Sequence, residues 1–275
     1  MKKRESPSQK RSHAKLPKGV LRGRVTCKGT VGSIRSQTTI FIILTILIII
    51  IIATLFILKP TKQSTPQQIQ PLQSSIQSCI EEISKQAIFH ISERGGYYNL
   101  PDTTLENTTP YYLYNDQNLI PTKEKIQREI TLYIQDNLPK CIFIATEFSD
   151  FKITQQQPRA TTEINPTNIE INIIYPLSIT KEEKTYQLEN FKTNIPIRLG
   201  TIYNSIEQII QEQIKDPTAL DPHHIYQVSN ENNLQTKMLG FTQDSVIFII
   251  TDKKTINQNY TFIFANKYIP KEIEI

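Results

Sequence analysis

The stretch IFIILTILIIIIIATLFIL, Ile40–Leu58, carries no charge and departs from apolar residues only at Thr45 and Thr54. A helix of a soluble core keeps a polar stripe toward water, and none is present here. As a helix the run would rise about 28 Å, close to the roughly 30 Å hydrocarbon core of a bilayer. Its backbone could then satisfy its own hydrogen bonds within one segment, as lipid demands. At about −0.3 to −0.6 kcal/mol for each central Ile, Leu or Phe, insertion sums to about −5 kcal/mol. A cleaved leader has a shorter apolar core and a small-x-small cleavage site, whereas this run ends in Leu58-Lys59-Pro60. The expectation is a single transmembrane helix over 40–58 that stays as a signal anchor.

Charge orients it. Residues 1–39 hold 11 Lys or Arg and one acid, Glu5, a balance of +10 against +5 for the whole chain. The remainder is therefore acidic, and the pI of about 8.9 belongs to the tail. Basic flanks stay cytoplasmic, which places the N-terminus inside and the larger C-terminal part outside the cell membrane. The bases of 1–39 are interleaved with Ser, Pro and Gly and lack apolar partners, so this tail reads as disordered. Near a bilayer surface each base adds about 1 kcal/mol of attraction to anionic lipid. Nucleic acid is not an expected partner of the folded domain. Cys27, on the cytoplasmic side, should stay reduced.

The residues Arg35-Ser36-Gln37-Thr38-Thr39-Ile40-Phe41 resemble the processing motif of archaeal pilin-like precursors, a class III signal. There a basic and a small residue precede the cut, Gln follows, and an apolar helix comes next. The resemblance implies a candidate processing site with Arg35 and Ser36 before the cut and Gln37 starting the mature chain. Four further segments, IQSCIEEISKQ, DNLPKC, IPIRLGTIYN and FANKYI, resemble a group of uncharacterised single-span archaeal membrane-anchored proteins. That resemblance implies an exported domain and names no activity.

Residues 59–73, KPTKQSTPQQIQPLQ, read as a Pro/Gln/Ser/Thr-rich linker, since Pro60, Pro66 and Pro71 oppose a continuous helix. Residues 74–275 suffice for one extracytoplasmic domain or for two subdomains, 74–141 and 142–275. Ile69, Leu72, Ile76, Ile80, Ile83, Ala87 and Ile91 recur at helical spacing and stop at Gly95-Gly96. GYYNL and PYYLYN read as two strands of a hairpin. A second helix follows Thr122, with Ile126, Ile130, Tyr133 or Ile134 and Leu138 inward, and ends at Pro139. The period then changes to two, with strands expected near 142–153, 159–164, 168–179 and 185–198. A third helix places Ile202, Ile206, Ile209 or Ile210 and Ile214 on one face, and a fourth lies near Pro222–Glu231. LQTKMLGF, SVIFIITD and YTFIFANKYI close the chain as three antiparallel strands. Helices followed by runs of strands give an α+β fold: a helical pair plus an antiparallel sheet, behind one transmembrane helix.

Among chemistry-bearing residues, Cys79 and Cys141 are the informative pair, because two thiols in an oxidising space close into a disulfide. Asn107 and Asn259 head N-x-T acceptors and are candidate glycosylation sites, whereas Asn165 is excluded by Pro166. Asp221, His223 and His224 crowd one helix start, where adjacent imidazoles diverge and cannot share a metal without a third ligand. His90 falls near a helix edge and reads as packing. Glu81, Glu82, Glu124, Glu129, Glu207 and Glu212 read mostly as solvent-facing. Tyr97, Tyr98, Tyr111, Tyr112 and Tyr114 either pack on the helices or offer contacts to a protein or glycan. No catalytic residue, metal or cofactor is implied. The sequence reads as a cell-envelope protein presenting an interaction or structural domain to an envelope protein or glycan. A pilin-like subunit processed after Ser36 and an anchored hydrolase are the alternatives, and the oligomeric state is left open.

Overall fold

The computed structural model describes residues 35–57, 67–144, 148–254 and 260–270, without side chains at 35–39, 53–57 and 143–144. Most of the basic tail, Cys27 and Asn259 lie outside them. The chain divides into two compact units, 1–64 and 65–275.

In the first unit, α1 runs Arg35–Ile57. Its described side chains, Ile40–Ile52, are apolar but for Thr45, whose hydroxyl donates to the Phe41 carbonyl (2.7 Å). Among the described residues, no helix is long and apolar enough to cross a membrane. This corrects the expected transmembrane helix.

The second unit opens with a 3-10 turn, Gln67–Ile69, and α2, Gln70–Glu93. Both begin inside the segment read as a linker, and Ile69 and Leu72 are buried there. Pro71 sits in the first turn of α2, where its missing N–H has no helical partner to lose. At the other end Gly96 N–H donates to the Ile91 carbonyl (2.8 Å) and Gly95 N–H to Ser92 (3.3 Å). The two glycines have φ of 84° and 55°, the left-handed geometry that closes a helix.

Three short or medium strands follow: β1 Thr104–Leu105, β2 Thr109–Tyr114 and β3 Gln117–Asn118. GYYNL is not a strand, because the backbone N–H groups of Tyr98 and Asn99 are taken by the Glu129 carboxylate. Next comes α3, Lys123–Asn137, capped by the Thr122 hydroxyl accepting from Lys125 N–H (3.2 Å). A short α4, Lys140–Ile144, occupies the start of the strand expected over 142–153.

β4 Lys152–Gln155 and β5 Arg159–Ile164 both pair with one edge of β6, Ile169–Lys181, and β7, Lys184–Ile195, takes the other edge. The long β6–β7 hairpin turns at Glu182–Glu183, with Glu182 at φ 54°. α5 Leu199–Gln213 and α6 Pro222–Glu231 then lead into β8 Leu234–Gly240, β9 Ser245–Asp252 and β10 Tyr260–Lys267.

The fold is α+β but not built on one antiparallel sheet, a second correction. The described residues form two sheets, and the first, ordered β1-β2-β10-β9-β8, contains a parallel β2–β10 pair. That pair joins residues some 150 positions apart (Tyr111 with Ala265), which no local pattern announces. At its irregularity between Ala265 and Asn266, the Asn266 side-chain carbonyl accepts from Leu113 N–H (3.2 Å) and so repairs the ladder. α2 packs against α3, β7 and β10 and so ties both sheets together. The main buried cluster includes Ile76, Ile130, Ile173, Ile206, Phe248 and Phe264, and a small second one joins Leu105, Tyr111 and Ala265.

Candidate functional site

A sheet edge is a row of unpaired backbone donors and acceptors, so the way each edge is closed locates the reactive part of a β structure. The β2 edge of the first sheet carries β1 and β3. The β5 edge is tied to α3, where Ile164 N–H donates to the Gln127 side chain (3.0 Å) and Thr131 Oγ1 to Thr162 (2.9 Å). At the β7 edge, Gln77 of α2 donates to the Lys192 carbonyl (3.1 Å). Two strands carry no such tie: among the described residues the four-residue β4 pairs with β6 alone and the seven-residue β8 with β9 alone, so β8 offers the longer open edge.

The direction of its free groups follows from register. Phe241 N–H donates to the Ser245 carbonyl (2.9 Å), one step beyond the Gly240–Val246 pair. Bonded pairs alternate in an antiparallel ladder, so Leu239, Lys237 and Gln235 bond to β9. The N–H and C=O groups of Thr236, Met238 and Gly240 therefore face outward.

Beside this edge lies a groove of about 470 Å³, lined by Tyr226, Ser229 and Asn230 of α6, residues 234–239 of β8, and Lys253. Its floor is polar and closed: the Ser229 and Thr236 hydroxyls lie 2.7 Å apart, and Ser229 Oγ also donates to the Ile225 carbonyl (2.7 Å). Its rim is apolar, with Tyr226 48% and Leu239 50% exposed, and Phe241 lies just past the end of β8 at 48%. Among the described residues, Lys237 and Lys253 are the charged ones in its lining.

The walls are held rigidly. Asp221 caps α6 by accepting from His224 N–H (3.1 Å), and Ile225 and Val228 bury its inner face. The Arg198 guanidinium grips Asp252 with both arms, Nε to Oδ2 (3.0 Å) and Nη2 to Oδ1 (2.7 Å). Nη2 also donates to the Asn232 carbonyl (3.1 Å). That fork fixes the end of α6 to the end of β9, on which β8 is laid. The lining offers hydroxyl, amide and ammonium groups along a strand edge, a chemistry suited to holding a polypeptide main chain.

Comparison of the chain with models of known protein families, with curated proteins and with solved structures finds no match.

The residues singled out in the sequence fall in separate places. Cys79 and Cys141 form a disulfide, with Cα atoms 5.6 Å apart, that links α2 to α4. Asn107 is exposed in the β1–β2 turn with φ 55°. Arg35, Ser36 and Gln37 lie in the first turn of α1, and their side chains are outside the described set. Asp221 serves as a helix cap, and among the described residues no three His, Cys, Asp or Glu groups converge as for a metal ion. His90 packs its ring on Tyr98 and Tyr133 (centroids 6.3 and 5.2 Å). Burial, then the nearby Arg94 charge, lowers its pKa below the ordinary value. Tyr112 is fully buried and stacks on Phe264 at 4.6 Å, while Tyr111 meets Tyr114 edge to face.

Glu129 is a correction to the solvent-facing reading, being 2% exposed. It accepts from the N–H groups of Tyr98 (2.9 Å) and Asn99 (3.1 Å) and meets Lys125 Nζ at 2.5 Å. Its signal was present: it lies three residues after Ile126 and beside Ile130, on the margin of the apolar stripe. The β8 edge had no such signal, because pairing partners are set by the sheet order.

Proposed function

We propose that residues 65–275 form an extracytoplasmic interaction domain that engages its partner at the groove between β8 and α6. The observation that carries this reading is the contrast among edges. β1 and β3, Gln127 and Gln77 close or tie the β2, β5 and β7 edges, and the β4 edge is only four residues long, while the seven-residue β8 leaves outward-facing backbone groups beside half-exposed Tyr226 and Leu239. Lys237 on β8 is a charge of the kind that discourages pairing with a like strand, but the free backbone groups remain a template for a chain of complementary charge. The Cys79–Cys141 disulfide supports the extracytoplasmic side of the reading, since such bonds persist in oxidising compartments.

The test is photo-crosslinking in the native cells from single positions of the full-length protein. A crosslinking residue at Gln235 or Leu239 should give discrete adducts, and one at Glu183, on the far hairpin tip, should give none. Equal adducts at all three positions, or none at the groove, would refute the reading.

A further inference from the structure

The inference here rests on reading the β8–α6 groove as the interaction site and concerns what fills it. We propose that the groove binds an extended segment of another protein, acidic at alternate positions and apolar between them, which adds to the sheet as a strand along β8.

Main-chain recognition comes first. The outward N–H and C=O groups of Thr236, Met238 and Gly240 repeat every second residue, about 6.8 Å apart, the spacing an added strand would match. Side-chain preference follows from the two faces of β8. Thr236 is buried and Met238 half-buried on the face that α6 covers, while Gln235, Lys237 and Leu239 are exposed on the other. A strand laid alongside would alternate in the same way. On the α6 side its side chains meet Met238 and Tyr226, which favours apolar residues. On the open side they meet Lys237, which favours a carboxylate directly opposite it. Lys253 lies just past Asp252, the partner of Leu234, and so extends the positive charge toward the start of β8. Among the described residues, no carboxylate lines the groove beside either ammonium group.

The same charge disfavours a second copy of this chain. β8, LQTKMLG, contains no acid, so edge-to-edge self-pairing offers Lys237 no carboxylate in any register, and the register centred on it sets two Lys237 ammonium groups opposite each other. Like charges placed opposite each other across strands are destabilising.

The probe is a blocked, fluorescein-labelled seven-residue peptide of alternating Glu and Val, offered to the full-length protein in detergent micelles. Binding is read by anisotropy and by amide exchange. It should protect the amides of Thr236, Met238 and Gly240, while those of Gln235, Lys237 and Leu239, already bonded to β9, change little. Reversing Lys237 and Lys253 together (K237E with K253E) should weaken binding by about tenfold or more. Met238→Pro should abolish it, because proline removes an outward N–H that β9 does not use. If that variant unfolds, N-methylating the peptide at its valines or at its glutamates gives the same test, and one of the two patterns must lose binding. Equal binding of a Lys/Val peptide would overturn the acidic assignment, and binding without protection at 236, 238 and 240 would overturn strand addition. Self-association through β8 in the absence of peptide would put a second copy there and overturn the proposal. Crosslinks from Gln235 and Leu239 in cells without peptide binding would defeat this inference alone. Loss of those crosslinks would defeat the reading beneath it.

Discussion

At position 129 a carboxylate occupies a helix face whose neighbours Ile126 and Ile130 are fully buried. Burial by itself raises its pKa, but Lys125 and the two backbone N–H groups of Asn99 and Tyr98 outweigh it, so the net shift is downward from the ordinary 4.5. A depressed folded pKa contributes stability above the unfolded value and loses it as pH falls through the folded one. Replacing the charge by an amide, Glu129→Gln, should therefore cost about 1–2 kcal/mol at neutral pH, the margin of a charge-assisted bond over a neutral one. Urea midpoints of variant and parent should converge at a pH below the ordinary carboxylate value, where the parent's carboxylate is also being neutralised. A gap that stayed constant from neutral pH down to that point would rule out the ionic account. The residue joins α3 to the loop after α2, a role invisible in a stripe drawn from apolar positions alone.

Elements with a strong period lie close to where that period places them, and elements without one do not. The isoleucine stripe from Ile69 to Ile91 is buried on α2, and the alternation Ile169, Ile171, Ile173 is buried along β6. β1 and β3 are two residues long, too short to show alternation, and α4 follows Pro139 with too few residues to show a helical repeat. Close approach of elements is equally hidden. A Cβ on Gly200, at the start of α5, would lie 2.5 Å from the Asn165 carbonyl oxygen in the β5–β6 turn. Alanine is better than glycine in a helix by about 1 kcal/mol. Here the obstacle is backbone, which cannot swing aside, so Gly200→Ala should instead destabilise by about 1–3 kcal/mol. Thermal melts that showed the alanine variant equal or more stable would mean that the turn yields freely.

At the scale of the whole 65–275 unit, one cluster of buried side chains draws on both sheets and on α2, α3 and α5. The Cys79–Cys141 disulfide closes a separation of 62 residues within it. Chain entropy assigns a loop of that length about 4 kcal/mol. The double variant Cys79→Ala with Cys141→Ala should lower unfolding free energy by an amount of that order. Reductant should destabilise the parent and leave the variant unchanged; equal sensitivity in both would separate stability from the bridge. Periodicity and residue chemistry sufficed for α2, α3, α5 and α6, for most of the longer strands and for the choice of these two cysteines as partners. Each of those depends on neighbours within a few residues, or on the scarcity of thiols. Only the tertiary structure decided that β10 inserts beside β2 and that a second, separate sheet forms. It also decided that, among the described residues, β8 lies at an edge with half its backbone groups facing away from β9. Those outcomes depend on contacts between segments far apart in the chain, where many arrangements bury the same apolar faces and packing selects among them.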